Sequence, residues 1–237
     1  RAKRLASLDI KGVSCHIGSQ VTKTSPFVEA LERIRRLIVL LREEGIAIRY
    51  LDLGGGLGIT YDRETPPHPT EYARALLEAS REIDCTFILE PGRVIVGNAG
   101  ILVTRVLYTK ETEDKRFLIV DAGMNDLVRP SLYQAYHEIR PVVDEGREER
   151  VCDVVGPICE SGDYLAKGRS LPDQKRGELL AVMSAGAYGF AMASNYNSRP
   201  RVPEVLVRGG EYSVIRKRER YEDLISGETI PERLIAG

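Results

Sequence analysis

The sequence predicts a parallel α/β unit followed by a β-rich domain that forms a sandwich or a barrel. Three observations carry that prediction. Strand and helix patterns alternate through residues 1–97 at a spacing of roughly 38 residues, the size of a βα unit. Each of the three strands ends in a polar or glycine-rich tail. From residue 98 the long helical patterns stop, and short β-rich runs separated by turn residues take over through residue 237.

The elements follow in order. An apolar strand pattern runs from Leu8 to Cys15. A helix is predicted from Ser25 to Glu44, with Ser25 as its cap and Pro26 in its first turn. Phe27, Ala30, Leu31, Ile34, Leu37, Ile38 and Leu41 fall at helical spacing, and Gly45 can end the helix. A second strand, Ile46–Leu53, leads through a Pro-rich turn to a helix over Thr70–Ile83. A third strand covers Cys85–Leu89. Further β runs are predicted at Ile101–Tyr108, Phe117–Val120, Val151–Val155, Glu178–Met183, Val205–Val207 and Tyr212–Arg216. The charged run Asp144–Arg150 reads as a solvated loop, and Glu219–Ile225 as a short terminal helix.

Composition narrows the class of function. The 237 residues carry 34 Lys+Arg against 35 Asp+Glu, which argues against a nucleic-acid binder working through a general basic field. No apolar run reaches the roughly 18 residues of a membrane span, and no signal-peptide pattern opens the chain. Cys15, Cys85, Cys152 and Cys159 lack zinc spacing, so no metal site is expected. With no sign of secretion, the cytoplasm is the expected location.

The chemistry-bearing residues sit where α/β barrels keep their active sites, at the carboxyl ends of parallel strands. The tails read Cys15-His16-Ile17-Gly18-Ser19-Gln20, Asp52-Leu53-Gly54-Gly55-Gly56-Leu57-Gly58 and Glu90-Pro91-Gly92-Arg93. The run Gly54, Gly55, Gly56 can cradle a phosphate on backbone N–H groups, or it can be a tight turn needing positive φ. It is neither a dinucleotide fingerprint nor a P-loop. Glu90 is expected at a buried strand end, paired with an arginine or with a protonated ring nitrogen. In the second half, Asp121–Asp126, Arg129–Tyr133, Gly156–Asp163, Gly186–Phe190 and Ser194–Asn197 are dense in polar and turn residues. Cys159 alone reads as a small buried residue; beside Glu160 on a Gly-rich loop it is placed for proton chemistry.

In combination the motifs HIGSQ, DLGGGLGI, EPGR, DAGMNDLVRPSLY, GPICESGD and GAYGFAMASNYNSRPR resemble the diaminopimelate decarboxylase family. These are pyridoxal-phosphate enzymes of the alanine-racemase and ornithine-decarboxylase-like fold type. The resemblance runs from His16 to about Val207. It implies a TIM-type (β/α)8 barrel, of which only the last three βα units are present here, followed by an all-β sandwich or barrel domain. It implies that His16 stacks on pyridoxal 5'-phosphate and that Glu90 pairs with the pyridine nitrogen. Ser19, Gly54, Gly55, Gly56, Gly92 and Arg93 would hold the phosphate, and Tyr188 would reach cofactor and substrate. Arg93, Arg129 and Tyr133 would take substrate carboxylate, Glu160 the distal ammonium, and Cys159 would return a proton to carbon. The implied reaction converts meso-2,6-diaminopimelate to L-lysine and CO2, in a homodimer whose subunits share active sites.

One departure is large. The family joins its cofactor to a lysine on an early barrel strand, and none of the eight lysines here matches that motif. The chain also opens without Met, and its first Met is Met124. The expectation is therefore a fragment lacking the front of the barrel and inactive by itself. A related ornithine, lysine or arginine decarboxylase, or a non-catalytic relative that binds the cofactor, remain as alternative expectations.

Overall fold

The computed structural model describes residues 1–231 and 234. The chain forms two compact units, Arg1–Gly100 and the residues from Ile101 onward. In the first, strands β1 (Gly12–Ser14), β2 (Tyr50–Asp52) and β3 (Thr86–Ile88) pair in parallel in that order. Helices α1 (Ser25–Glu43) and α2 (Pro69–Ala79) make the two crossovers, and one turn, α3 (Arg93–Val96), follows β3.

Helix α1 buries Phe27, Leu31 and Ile38, residues four and seven apart on one face. Phe27 meets Tyr72 of α2 edge-on, with ring centroids 4.8 Å apart. Ser25 is not the cap. It is the first helical residue, and Thr24 before it already has helical dihedrals, so no side-chain oxygen caps the end. At the other end Gly45, with φ 73°, closes a Schellman turn: Gly45 N–H donates to the Arg42 carbonyl and Ile46 N–H to that of Leu41, both at 2.9 Å. Helix α2 is shorter than the predicted Thr70–Ile83. It starts on Pro69, His68 Nδ1 accepts from Thr70 N–H at 3.2 Å, and it ends before Ser80.

Only three residues of each predicted strand in this unit are paired. Ile10, Ile46 and Ile48 lie outside the ladders yet pack in the helix-covered core. An apolar run reports burial, and pairing also needs a facing backbone.

The second unit is a mixed sheet of β4 (Leu102–Glu111), β5 (Arg116–Val120), β6 (Ile139–Pro141), β7 (Glu149–Val155), β8 (Tyr164–Pro172) and β9 (Leu179–Val182). The order is β6-β9-β4-β5-β7-β8, with β5 and β7 parallel and the other pairs antiparallel. The terminal strands β6 and β8 approach each other, so one sheet is nearly closed, rather than two sheets being stacked. A short helix, α4 (Arg129–Tyr133), lies between β5 and β6. Strands β10 (Glu204–Arg208) and β11 (Glu211–Arg216) form a separate hairpin, followed by α5 (Tyr221–Leu224). No helix among the described residues is long and apolar enough to cross a membrane.

Two strands of this sheet escape the sequence pattern. Strand β8 reads YLAKGRSLP, and its alternation breaks where Gly168 takes φ 57° and the pairing with β7 shifts register. Asp153 of β7 holds that irregularity by accepting from Gly168 N–H at 2.6 Å. Strand β6 is three residues ending in Pro141, tolerable at a sheet end. The run Asp144–Arg150 is also not simply a solvated loop. Glu149 and Arg150 belong to β7, and Arg147 makes a two-pronged pair with Glu178 at 2.6 and 2.8 Å.

The core of this unit is Val106, Leu118, Val120, Leu127, Val154, Leu165, Leu180 and Val182, all within 1% exposure. Replacing Leu118 by Ala should cost about 2–5 kcal/mol through lost burial and an unfilled cavity. Urea unfolding of the two proteins measures this, and an unchanged midpoint would contradict it.

Candidate functional site

In the first unit the parallel ladder sends all three tails off the same end of the sheet. Backbone bonds continue past the strands: Cys15 N–H donates to Asp52 O at 2.9 Å, Leu53 N–H to Ile88 O at 3.0 Å, and Glu90 N–H to Gly54 O at 2.9 Å. The glycine run is what lets the tails close up. A Cβ on Gly55 would stand 2.2 Å from the Glu90 carbonyl oxygen. One on Gly56, whose φ is 106°, would stand 2.2 Å from that of Gly18. Packing requires glycine at both positions, and backbone conformation requires it at Gly56 as well.

The side chains gathered there suit an anionic ligand with a flat ring. His16 is exposed, and its Nδ1 accepts from Gly55 N–H at 3.3 Å, which leaves the proton of a neutral ring on Nε2. Arg93, the first residue of α3, donates to Ser19 Oγ, to Tyr61 Oη at 3.2 Å and to Gln20 Oε1 at 3.4 Å. Gln20 is itself clamped, since its Oε1 accepts from Ile59 N–H at 3.1 Å. A fixed guanidinium beside an exposed hydroxyl is a donor pair that fits a phosphate. Of the glycine run, Gly54 and Gly55 are buried and donate their N–H groups to Asp52 Oδ1 at 2.8 Å and to His16 Nδ1, and Gly56 is half-buried. Gly92 precedes Arg93 on the exposed tail. Glu90 corrects an expectation. It is exposed rather than buried, as are Thr86 and Ile88 within β3 and Leu89 after it, and its carboxylate takes no partner among the described residues.

In the second unit the dense segments converge on buried carboxylates. Asp163 accepts from Met124 N–H and Ile158 N–H, each at 2.6 Å, and so joins the Asp121–Asp126 loop to the Cys159 loop. Burial pushes its carboxyl up from the ordinary value, against the pull of those two bonds. Gly156 has no room for a side chain, since a Cβ would lie 2.5 Å from both Asp163 oxygens. Cys159 and Glu160 stand exposed at the crest of this loop, so Cys159 is not the buried residue that a lone cysteine suggests. Tyr196 Oη lies 3.4 Å from Glu160 Oε2, as donor to acceptor. Ser131 of α4 donates to the Gly162 carbonyl, tying the Arg129–Tyr133 helix to the same loop. Arg199 reaches back to Asn125 Oδ1 at 3.1 Å and to Asp121 O at 2.6 Å.

Tyr133 is exposed on α4, whereas Arg129 is buried, its guanidinium 2.9 Å from His137 Nε2. Tyr188 is exposed and held at φ 60°, an uncommon backbone for a bulky residue and one found where a loop is over-determined. Asp163, His137, Gln20 and Tyr61 are the functional-looking residues that sequence reasoning did not single out. Asp163 ends a motif already noticed. Gln20 likewise ends the HIGSQ motif, whereas His137 and Tyr61 carry no local signal, because their partners are 8 to 46 residues away.

Residues 8–186 match the family described as pyridoxal-dependent decarboxylase, C-terminal sheet domain. The chain is 52% identical over 225 residues to the diaminopimelate decarboxylase of Aquifex aeolicus, covering 94% of this chain and 54% of that protein. The crystal structure of diaminopimelate decarboxylase from Helicobacter pylori complexed with L-lysine is similar at 45% identity and TM-score 0.86, over 95% of this chain and 56% of that one. That of the Vibrio vulnificus lysine/ornithine decarboxylase complexed with cadaverine is similar at 28% identity and TM-score 0.73, over 81% and 53%. The chain spans about half the length of the relatives it matches.

Burial and the cationic Arg129 and Arg169 push His137 down from 6.5 to about 4. Between those values the unfolded chain binds the proton and the folded chain does not, so stability falls as pH drops from 6.5 toward 4, by on the order of 3 kcal/mol in full. Asp126 and Asp163, raised by burial, act in the opposite sense. Urea midpoints at pH 7 and pH 5 should therefore differ less in His137→Gln than in the parent. Equal differences would reject this assignment.

Proposed function

Because this chain belongs to the pyridoxal-dependent decarboxylases, we propose that the whole protein containing it converts meso-2,6-diaminopimelate to L-lysine and CO2. The single observation that carries the substrate is identity: 48–53% to eight diaminopimelate decarboxylases across at least 94% of the chain, against 28% to a lysine/ornithine enzyme. On this reading residues 1–97 are the C-terminal part of a cofactor-binding (β/α)8 barrel and 98–237 its β-rich C-terminal domain. The parallel strand order and the shared end of the three tails support the barrel assignment. The working unit is a homodimer with shared active sites. The protein is cytoplasmic, a location that suits its four unpaired cysteines.

The residues fit the cofactor by their chemistry. Ser19, Arg93, Gly92 and the Gly54–Gly56 loop would hold the phosphate, His16 would stack on the ring, Tyr188 would reach it, and Glu90 would keep the ring nitrogen protonated. Pyridoxal 5'-phosphate, when bound, supplies an electron sink for the pair left as the carbon–carboxylate bond breaks. The chain's own groups do the rest. Arg93, Arg129 and Tyr133 take carboxylate, for which a planar guanidinium is suited. Glu160, oriented by Tyr196, receives the distal ammonium and so measures the length of the substrate. The Cys159 thiol delivers a proton to the carbon that lost CO2, and that carbon becomes the ε-carbon of lysine.

Assay of the whole protein with pyridoxal phosphate should show CO2 release from meso-diaminopimelate and much less from ornithine; the reverse preference would overturn the substrate assignment. This chain by itself should release no lysine. Cys159→Ala should lower kcat by about 10²–10⁴-fold, the range for loss of a positioned proton donor. Arg129→Ala should raise KM for diaminopimelate by about 10–100-fold, the worth of a charge-assisted contact.

A further inference from the structure

We propose that His137 is a positioning residue for Arg129: its neutral ring, protonated on Nδ1, is anchored by the Met183 carbonyl and presents Nε2 to the guanidinium. The proposal rests on Arg129 as a carboxylate receptor.

The tautomer follows from what the neighbours can do. Nδ1 lies 2.8 Å from the Met183 carbonyl oxygen, which can only accept, so Nδ1 carries the proton. Nε2 lies 2.9 Å from Arg129 Nη1, which can only donate, so Nε2 accepts. One neutral tautomer satisfies both contacts. The imidazolium would turn an N–H toward a cation. His137 is fully buried, so the arrangement has no water to fall back on.

The two cations nearest the ring favour its neutral form. Arg129 faces Nε2 from α4. Arg169 of β8 donates to the His137 carbonyl at 2.8 Å and stacks on the Tyr136 ring at 3.9 Å. Glu138, the nearest carboxylate in sequence, is turned to Arg140 in a two-pronged pair at 2.8 Å. The depressed pKa of about 4 agrees with this environment. The anchor is set by the sheet, because Met183 N–H donates to Glu138 O at 2.8 Å in continuation of the β6–β9 ladder. A rigid ladder therefore aims the ring, and the ring aims the guanidinium fork.

The test uses the whole protein and a pair of variants. Asn places an amide N–H near the Nδ1 position but has nothing at Nε2; Gln places an amide oxygen near Nε2. His137→Asn should raise KM for meso-diaminopimelate by about tenfold with kcat within about twofold, and His137→Gln should stay within about threefold of the parent. Equal KM values for the two variants would overturn the proposal, since a packing role does not separate them. A readout without turnover is the ring's two-bond ¹H–¹⁵N pattern, assigned by its loss in His137→Gln. It should show Nδ1–H and bare Nε2 from pH 8 to pH 5, and an Nε2–H tautomer would refute the proposal. If the parent protein releases no CO2 from diaminopimelate, the decarboxylase reading fails while the ring pattern still decides the tautomer. An unchanged KM in Arg129→Ala overturns both the receptor role and its positioning.

Discussion

The buried carboxylate of Asp163 is the constraint on which the chemistry-bearing face of the sheet domain depends. It accepts two backbone N–H groups from two different loops, and each such bond to a charged group is worth about 1.5–3 kcal/mol. Burial works against it, and the upward push on its pKa records that cost. Around this one group the neighbouring sequence has little freedom. Gly156 must lack a side chain because a Cβ would come 2.5 Å from both of its oxygens, and one at Gly123, 3.0 Å from Oδ1, would fit only if the carboxylate gave way by a few tenths of an ångström. The loop between Ile158 and Asp163 is closed at both ends, so Cys159, Glu160 and Ser161 are the residues left to project.

The first unit solves a similar problem with backbone instead of charge. Its ladder is only three residues per strand, and cross-tail bonds beyond it keep the loops in register. Glycine at 55 and 56 removes the Cβ atoms that would push the tails apart. Arg93 is fixed there by Tyr61 and Gln20, just as Arg129 is fixed in the sheet domain by His137. A guanidinium has a long, flexible stem. Holding it before a ligand arrives removes conformational entropy that binding would otherwise have to supply.

The positions that sequence reasoning reached and those it missed divide along physical lines. Helix α1 was legible because Phe27, Leu31 and Ile38 repeat at helical spacing and Gly45 marks the stop. Strand β8 was not, since Gly168 shifts its register and Lys167, Gly168 and Arg169 interrupt the alternation. Glu90 was read as a buried strand end because the apolar run continues to Leu89, whereas β3 lies at one side of the three-stranded ladder and Ile88, Leu89 and Glu90 are all exposed. Among site residues, the glycine run and the Cys-Glu loop announced themselves by local composition. His137 did not: its role depends on Arg129 eight residues before it and Met183 in a strand-end 46 residues later.

The sequence by itself determined which residue types are available for chemistry, the periodicities that make two crossover helices and a β-rich second half, and the glycines that allow close backbone approach. These are local properties, set by propensity, spacing and the size of a side chain. Only the tertiary structure decided which strand segments pair, that Glu90 is exposed and Arg129 buried, and which nitrogen of His137 carries the proton. Each of those depends on what stands opposite: a backbone that completes a ladder, a carbonyl that can only accept, a guanidinium that can only donate. A chain position does not carry that information until long-range packing supplies the partner.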